Sequence, residues 1–438
     1  MNGFTYDESS IKTKARDFLK SKGMILQEDP ADAAVRIAGE MKESVLSGAP
    51  HFAMLRSHII PRLEGLYEGP VLAVDIGGTH TRFAKAVPGP ALTFEEMRTI
   101  PTPGLEHPVT VDGFFDEIAK VCALYDCERA GVSFSFMAHI GHDLDAEIVD
   151  FSKELAISGA PGRMVARGIN EALARLGRSP MDIAVINDSC AAFLGCEERG
   201  RLPDVSFILG TGYNNCYCEP ALDGMLMNTE SGAYGGIPQG EIDLEADMTS
   251  ANRGLFAAEK MVSGGYLGGL IYTAAKSAAR EGLFSSEYAK RLNSCPPFTT
   301  RQISEFLEQE NTHPSPDEHP QTDAIAPEKG PDRLLFKSIC LLLIERAADV
   351  SAILTAACAI RSRQGESKND QDRPVIIAAE GSTYFGMPAL RERFDHTLAD
   401  IIKKTLGTGC TVTPSKSAVL KGTALAAMMK RQTAEQTR

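Results

Sequence analysis

The stretch VLAVDIGGTHTRFAKAV at residues 71–87 determines the predicted fold more than any other part of the chain. An apolar run enters a glycine pair and an alternating run follows at once, which predicts a buried strand, a tight turn and a second strand in one hairpin. The same pattern recurs in VSFILGTGYNNCYCEP at residues 205–220. We interpret the recurrence as a weak internal repeat, and we expect two mixed sheets that face each other across a cleft.

The remaining apolar segments complete this α/β pattern. Further buried strands are predicted at VSFSF (132–136), DIAVIND (182–188) and PVIIAAEGS (374–382). Helical periodicity covers residues 10–65, 334–360 and 419–431. Residues 311–331 carry five prolines among polar residues, which predicts a surface excursion or linker.

Length and composition exclude several classes of protein. A chain of 438 residues favours two domains or two lobes. The net charge of −13 disfavours nucleic-acid binding, because a phosphate backbone repels such a surface. We find no apolar run of ~18 residues that would predict a membrane span, and no signal peptide at the N-terminus. The ten cysteines have no C-x-x-C spacing, so we expect core thiols of a cytoplasmic protein rather than a zinc site.

The two glycine turns carry the first chemical signal. An aspartate such as Asp75, at the end of a buried strand, is costly unless it meets a cation or hydrogen-bond donors. Gly77 and Gly78 would let the backbone approach an anion closely. The segment is therefore either a phosphate loop with Asp75 near a magnesium ion, or an ordinary turn with a surface aspartate. Gly210 and Thr211 repeat the pattern, as a second phosphate contact or as a simple hairpin turn.

Several polar residues suggest a sugar site. Asp188 follows the apolar strand AVIND and is a candidate general base for a sugar hydroxyl, with Asn187 beside it. The alternative is that this pair caps a helix, since SCAA resembles a helix start. Glu230 and Glu259 lie among glycines and aromatic residues, and carboxylates bind vicinal hydroxyls well, although isolated glutamates are commonly surface groups.

Together these segments resemble the hexokinase family of yeast and animals, in the same order over most of residues 50–430. The segments that carry the resemblance are VLAVDIGGTHTRF, FSF with FSKEL, VINDSCAAFL, FILGTGYNNCYCE, NTESGAYGG, AAEKMVSGGYLGG, IERAADVSAI and IAAEGSTYF. The resemblance implies two lobes with ribonuclease-H-like (actin-like ATPase) mixed sheets, flanked by helices around an interlobe cleft. It also implies a small domain at 69–187 plus 422–438, and a large domain at 1–68 plus 188–421.

The resemblance further implies an ATP-dependent hexose 6-phosphotransferase that uses ATP and Mg²⁺. Asp188 would be the base, Lys153 would contact the transferring phosphate, and Asp75 would meet the metal ion through water. The implied sugar site comprises Ser152, Lys153, Asn187, Asp188, Asn214, Glu230 and Glu259. The implied nucleotide site comprises Asp75, Gly77, Gly78, Thr79, Arg82, Gly210, Thr211, Gly381 and Ser382.

The sequence also departs from the family pattern. His80 replaces the usual Asn, Ser152 replaces Thr, and Glu380 replaces Asp. Met137 and His139 stand where we place a family Pro and a sugar-binding Ser. His139 either enters the sugar site, where an imidazole is larger than a hydroxyl and titrates near neutrality, or points away from it.

We expect a hexose, D-glucose above all, as the substrate of a cytoplasmic monomer or homodimer. Two alternatives stay open at this point. One is an enzyme of the same fold that phosphorylates another sugar or polyphosphate. The other is a non-catalytic sugar sensor that binds glucose and a protein partner. This alternative is disfavoured because the chain retains Asp188, Lys153 and both predicted phosphate turns.

Overall fold

A computed structural model describes residues 7–151, 155–198, 200–311, 325, 327, 330–366, 372–415 and 417–436. Its strands, in chain order, are β1 (Leu55–Arg56), β2 (Val71–Ile76), β3 (His80–Val87), β4 (Thr93–Pro101), β5 (Val109–Thr110), β6 (Arg129–Phe134), β7 (Ala138–Ile140), β8 (Ala146–Ile148), β9 (Ile157–Ser158), β10 (Asp182–Ile186), β11 (Val205–Leu209), β12 (Tyr213–Glu219), β13 (Met225–Asn228), β14 (Val375–Glu380) and β15 (Cys410–Pro414). Its α-helices are α1 (Glu8–Ser21), α2 (Pro30–Ser47), α3 (Val111–Cys122), α4 (Val165–Arg175), α5 (Asp188–Gly195), α6 (Glu241–Asp247), α7 (Ala257–Val262), α8 (Leu267–Arg280), α9 (Ser286–Ser294), α10 (Thr300–Asn311), α11 (Pro331–Ser362), α12 (Ser382–Gly386), α13 (Leu390–Leu406) and α14 (Ala418–Gln436).

The two large sheets have the same internal topology. One sheet has the order β10-β6-β2-β3-β4, in which β2, β3 and β4 are antiparallel neighbours and β6 and β10 add in parallel. The other has the order β1-β13-β12-β11-β14-β15, in which β11, β12 and β13 are antiparallel and β14 and β15 add in parallel. The predicted repeat, the two hairpins and the α/β class with two lobes are therefore confirmed.

Each lobe has its own apolar core. In the smaller lobe, α3 and α4 pack with the five-stranded sheet around buried aromatic side chains such as Phe114, Phe115 and Phe134. In the larger lobe, α11 is buried over most of its length and contacts α1, α2 and α13. A helix that is apolar on all sides belongs in such an interior position. The exact domain boundaries that we infer from the sequence stay a prediction.

The predicted helical region at residues 10–65 is wrong in its second half. Helix α2 ends at Ser47, because Gly48 adopts a left-handed φ of 71° and its N–H caps the Ser44 carbonyl. No residue between 48 and 70, a fully described stretch, is helical, and only β1 is regular there. The 311–331 segment lies outside the described residues apart from its two ends and residues 325, 327 and 330.

Within the described ranges, none of the helices is both long enough and apolar enough to span a bilayer.

Glycines allow α14 to pack closely on α5 and on the five-stranded sheet. A Cβ atom at Gly422 would lie 1.8 Å from the Ala191 carbonyl oxygen, and one at Gly195 would lie 1.9 Å from the Ala418 carbonyl oxygen. In the same way, Gly131 in β6 leaves room for the backbone of Thr423. Helix α14 therefore holds α5 at Ala191 and at its last residue, Gly195, and also packs against β6 and β10.

We expect Gly422→Ala to destabilise the fold by about 1–3 kcal/mol, because the added methyl group meets backbone rather than a movable side chain. The matched control is Gly39→Ala in α2, where a Cβ atom meets nothing within 4 Å. The control should be neutral or more stable by up to about 1 kcal/mol, since alanine favours a helix interior over glycine. Urea unfolding of the three proteins measures both values, and equal stability of the two variants would contradict this packing.

Candidate active site

A cavity of about 280 Å³ lies where the two lobes face each other. The smaller lobe contributes the β2–β3 turn and the segment after β6, and the larger lobe contributes α5 and the β11–β12 turn. The lining residues are Gly77, Gly78, Ser135, Phe136, Met137, Asn187, Asp188, Ile208, Thr211, Gly212, Tyr213, Asn214, Glu230, Phe256 and Glu259. The cavity therefore joins both glycine turns to the predicted base and to both predicted sugar glutamates.

Local hydrogen bonds fix Asp188 at the first residue of α5. The Asn187 side chain accepts a hydrogen bond of 2.9 Å from the Ser189 N–H and is the helix cap. The Asp188 carboxylate accepts a second bond of 2.8 Å from the same N–H. The predicted helix cap is therefore confirmed for Asn187, whereas Asp188 lines the cavity and its role as a base stays a prediction.

The surroundings of Asp188 favour its neutral form. Burial raises the pKa of Asp188 to about 7, and the charges of Asp75 and Glu230 act in the same direction. Hydrogen bonds from Ser135 and from the Ser189 N–H act in the opposite direction. A carboxyl with a pKa near neutrality can accept a proton from a substrate and release it again.

Two more carboxyls beside the cavity have raised pKa values. Burial also raises the pKa of Asp75, although the Arg82 guanidinium lowers it, and Arg82 Nε donates to Asp75 Oδ2 over 2.9 Å. These two residues are direct cross-strand partners in the β2–β3 hairpin. Burial and the charge of Asp75 raise the pKa of Glu380 to about 7. Several carboxyl groups are therefore concentrated between the lobes, and their surroundings favour the neutral form of each.

One wall of the cavity, which we predict to be its sugar side, is a polar network on β12 and β13. Asn214 Nδ2 donates to Asn228 Oδ1 over 2.7 Å, and Asn228 Nδ2 donates to Glu230 Oε1 over 2.7 Å. Glu259 Oε2 accepts a bond of 3.0 Å from the Tyr213 N–H. Carboxylates and amides held in this way can accept and donate several hydrogen bonds to vicinal hydroxyls.

Three backbone segments of the larger lobe meet at the β11–β12 turn. The Gly210 carbonyl oxygen accepts bonds of 2.8 Å from both the Gly264 N–H and the Thr383 hydroxyl. Gly381 has a φ of 112°, and a Cβ atom there would lie 2.2 Å from the Leu209 carbonyl oxygen, so only glycine fits. Gly210, Thr211, Gly381 and Ser382 are thus brought together, as the sequence predicts.

The turn after β2, in the smaller lobe, is held by Thr102, the residue that directly follows β4. Thr102 Oγ1 donates to the Gly77 carbonyl oxygen over 2.7 Å, and the Thr102 N–H donates to the Thr79 carbonyl oxygen over 3.1 Å. Gly78, Thr79 and His80 are exposed. The turn therefore presents its backbone to the gap between the lobes.

The predicted site residues fall into three groups. Those that line the cavity are Gly77, Gly78, Asn187, Asp188, Thr211, Asn214, Glu230 and Glu259. Those that lie beside it without lining it are Asp75, Thr79, Arg82, Gly210, Gly381 and Ser382. Ser152 and Lys153 lie outside the described residues.

The structure places His139 away from the cavity, which is one of the two positions that the sequence leaves open for it. His139 is exposed on β7, opposite Glu147, and does not line the cavity, whereas Ser135 does. A signal for Ser135 was present in the sequence, since VSFSF and DIAVIND were both predicted as buried strands. The structure pairs these segments in parallel as β6 and β10. Residues that directly follow such strands meet at one edge of the sheet, which brings Ser135 to Asp188. Phe256 and Asn228 are also part of the site, and no sequence pattern pointed to them.

The carboxyl groups fit a hard cation such as Mg²⁺. Among the described residues, no three His, Cys, Asp or Glu side chains form a group that could hold a metal ion alone. Mg²⁺ is usually bound by one or two carboxylates together with substrate phosphates and water. Glu380 Oε2 is buried and has no hydrogen-bond partner within the described structure. Such a shared site would draw oxygen ligands and negative charge from Asp75 and Glu380.

Comparisons with known proteins agree with this geometry. Two family models, both described as Hexokinase, match residues 4–197 and 204–429. Human Hexokinase-2 is 28% identical over 388 residues, which cover 82% of this chain and 41% of that relative. Rice (Oryza sativa subsp. japonica) Hexokinase-3 is 26% identical over 421 residues, which cover 87% of this chain and 83% of the relative.

A solved structure described as hexokinase from Schistosoma mansoni complexed with glucose has a TM-score of 0.80 at 23% identity. The match covers 97% of this chain and 100% of the other. This likeness bears on the fold, and together with the two hexokinase family models it confirms the ribonuclease-H-like (actin-like ATPase) fold that the resemblance implied. The chain spans less than half the length of the human relative.

The raised pKa of Asp188 predicts a specific dependence of stability on pH. The carboxyl has a pKa of about 4 in the unfolded chain and about 7 in the folded one. The stability that its neutral form contributes is therefore complete below about pH 4, and is lost as the pH rises through about 7. Asp188→Asn cannot ionise, so its thermal midpoint should fall less than that of the unmodified protein between pH 5 and pH 8.

Differential scanning calorimetry at the two pH values measures this difference. Asp17→Asn, which changes an exposed aspartate on α1, is the matched control and should keep the original slope. Parallel slopes in all three proteins would show that Asp188 ionises normally.

Proposed function

The chain belongs to the hexokinase family, and from this premise we propose that it transfers the γ-phosphoryl group of ATP to the 6-hydroxyl of a hexose. D-Glucose is the substrate that we expect first. The observation that carries the proposal is the position of Asp188 in a cavity that is lined by both glycine turns and by Glu230 and Glu259. A site of this kind can hold a phosphate tail and a polyhydroxylated acceptor on opposite sides of one base.

In the proposed reaction, Asp188 accepts the proton of the 6-hydroxyl. The hydroxyl oxygen then forms a bond to the γ-phosphorus, while the bond between that phosphorus and the bridging oxygen breaks and ADP leaves. Phosphoryl transfer depends mainly on positioning and on charge stabilisation. The pKa of about 7 supports this role, because a general base works best when its pKa lies near the working pH.

We place the phosphates of ATP between the two glycine turns. The backbone N–H group of Gly78 would face the phosphate oxygens, and Thr79 and Thr211 would add hydroxyl donors. The N–H groups of Gly77 and Gly210 instead hold their turns in shape, because they donate to the carbonyl oxygens of His80 over 3.2 Å and of Gly212 over 3.0 Å. Arg82 uses donors on Nε and Nη2 toward Asp75, so part of its five-donor guanidinium can still reach a phosphate. Lys153 would neutralise the transferring group. Gly381 and Ser382 would line the adenosine pocket at the end of β14.

Mg²⁺ is the metal ion that we propose for the nucleotide, with Asp75 as its contact through water. When bound, it would offset the charge of the phosphate oxygens. In this structure the guanidinium of Arg82 orients Asp75, because their ion pair fixes the carboxylate at the end of β2.

The acceptor site is proposed on the opposite side of Asp188. Glu230 and Glu259 would accept hydrogen bonds from vicinal hydroxyls, and Asn214 and Asn187 would add amide contacts. Ser152 and Lys153 complete the set that the family resemblance implies. Lobe closure around the sugar would exclude water, which would otherwise consume ATP.

The cellular setting is also proposed rather than shown. All ten cysteines are free thiols, and Cys122, Cys340 and Cys358 are buried, which fits a reducing cytoplasm. We expect a monomer or a homodimer that acts on small molecules, without a nucleic-acid or membrane partner.

Asp188→Ala should lower kcat by at least ~10²-fold, which is the usual effect of losing a general base. A coupled assay of ADP release with glucose, fructose and mannose measures turnover and identifies the preferred hexose. Asp17→Ala is the surface control and should match the unmodified enzyme. Near-normal turnover of Asp188→Ala would refute the assignment, and glucose binding by the unmodified protein without ADP release would favour a sugar sensor.

Glu259→Gln should weaken glucose binding about 10-fold or more, because a hydrogen bond to a carboxylate is stronger than one to a neutral amide. The substitution keeps the shape of the side chain and an oxygen acceptor for the Tyr213 N–H. Isothermal titration calorimetry gives the Kd, with Glu287→Gln on the exposed side of α9 as the control. An unchanged Kd would remove Glu259 from the proposed acceptor site.

A further inference from the structure

Strained backbone is found in the sugar-side wall of the cavity. In the part of the chain that the structure describes, two non-glycine residues with positive φ line the cavity, Glu230 at 50° and Phe256 at 55°. Such a conformation is unfavourable for a bulky residue, and it persists where the surroundings enforce it and function uses it. Glu230 already has a proposed role as a hydroxyl acceptor. Phe256 has none in the mechanism above.

The loop before α7 holds Phe256 in this conformation. Lys260 Nζ donates to the Asn252 carbonyl oxygen over 2.5 Å and forms an ion pair with Asp247. Asp247 Oδ2 also accepts a bond of 2.8 Å from the Gly254 N–H. The Phe256 carbonyl oxygen accepts a bond of 3.0 Å from the Lys260 N–H, which starts the helix directly after the aromatic residue. The loop thus fixes the backbone of Phe256 on both sides.

Phe256 and Glu230 belong to two segments that are bonded together. Each residue directly precedes a short helical segment, α7 after Phe256 and the 3₁₀ turn Ser231–Ala233 after Glu230. The Ala258 N–H donates to the Tyr234 carbonyl oxygen over 3.2 Å, which joins the two segments. The same wall therefore presents an aromatic ring together with the carboxylates of Glu230 and Glu259.

We propose that Phe256 is a specificity-determining residue, whose ring packs on an apolar C–H face of the hexose while Glu230 and Glu259 accept its hydroxyls. This inference rests on the proposed function, because it takes the cavity to be the hexose site. An aromatic ring offers contact area and no hydrogen bond to a hydroxyl pressed against it. A sugar hydroxyl forced onto the ring would lose its partner in water and gain none.

The chemistry of the pyranose ring then predicts a preference among epimers. All ring hydroxyls of β-D-glucopyranose are equatorial, so axial C–H groups line both of its faces. Mannose and galactose each carry an axial hydroxyl on one face, and allose carries one on the opposite face. Phe256 should therefore favour glucose over the epimers whose axial hydroxyl points toward the phenyl ring of Phe256.

Phe256→Gly tests the proposal, because glycine adopts a φ of 55° without strain and the change removes only the ring. Ala389→Gly is the matched control, since Ala389 has a φ of 66° and lies outside the cavity. Both variants should keep or raise the thermal midpoint. Only Phe256→Gly should raise the Kd for glucose, by about three- to ten-fold, as expected for the loss of one aromatic contact.

The ratio of the Kd values for glucose and its epimers should also shrink in Phe256→Gly and stay unchanged in Ala389→Gly. An unchanged Kd and an unchanged ratio would overturn the proposal. A second pair keeps the test decisive if the glycine variant is unstable: Phe256→Tyr retains the ring and should bind glucose normally, whereas Phe256→Leu should bind it more weakly. Equal affinities in that pair would also overturn the proposal.

Calorimetric binding separates this inference from the proposed function. If the unmodified protein binds glucose but releases no ADP, the kinase proposal fails and the role of Phe256 can still be supported. If the unmodified protein is active and the Phe256 variants bind all four sugars as it does, the role of Phe256 fails alone.

Discussion

The Asp188 carboxyl group, which is half-buried where two lobes meet, imposes the constraint on which the rest of this site depends. Asp188 is close enough to Asp75 and Glu230 for their charges to favour its neutral form, and burial adds to the effect. Charges taken out of water need compensation by donors, counterions or protons. The ion pair of Arg82 with Asp75 is one compensation, and proton uptake by Asp188 near neutral pH is another. A hydroxyl group that gives up its proton, and a phosphate tail accompanied by a cation, are the ligands that this arrangement suits.

The duplicated topology explains how one cavity obtains two phosphate-facing turns. Each large sheet begins with an antiparallel hairpin, β2–β3 in one lobe and β11–β12 in the other. In each sheet, two parallel strands add beside the first strand of the hairpin, so polar residues at the strand ends collect at the same edge. Helix α14 then fixes α5 through close glycine contacts. The position of α5, which carries Asp188, therefore depends on packing that lies outside the cavity.

Much of this arrangement can be predicted from the sequence. Both hairpins follow from apolar runs interrupted by glycine, and Asp188 follows from its place at the end of a buried strand. Side-chain direction is harder to predict, which is why the sequence left open whether His139 enters the cavity and did not point to Ser135. The left-handed backbone of Phe256 depends on Lys260 and Asp247, whose contacts are set by the tertiary fold. The end of α2 at Gly48 was missed because the apolar periodicity seemed to continue beyond it.

The ionisation of Asp188 tests the central claim most directly. In protein labelled with ¹³C at aspartate carboxyl groups, the signal that Asp188→Asn removes can be followed by NMR as the pH is changed. The account predicts a midpoint close to pH 7 for that signal in the unliganded protein. A midpoint near the ordinary aspartate value of about 4 would contradict the account, because Asp188 would then be a solvated surface group rather than the proton acceptor of a closed cleft.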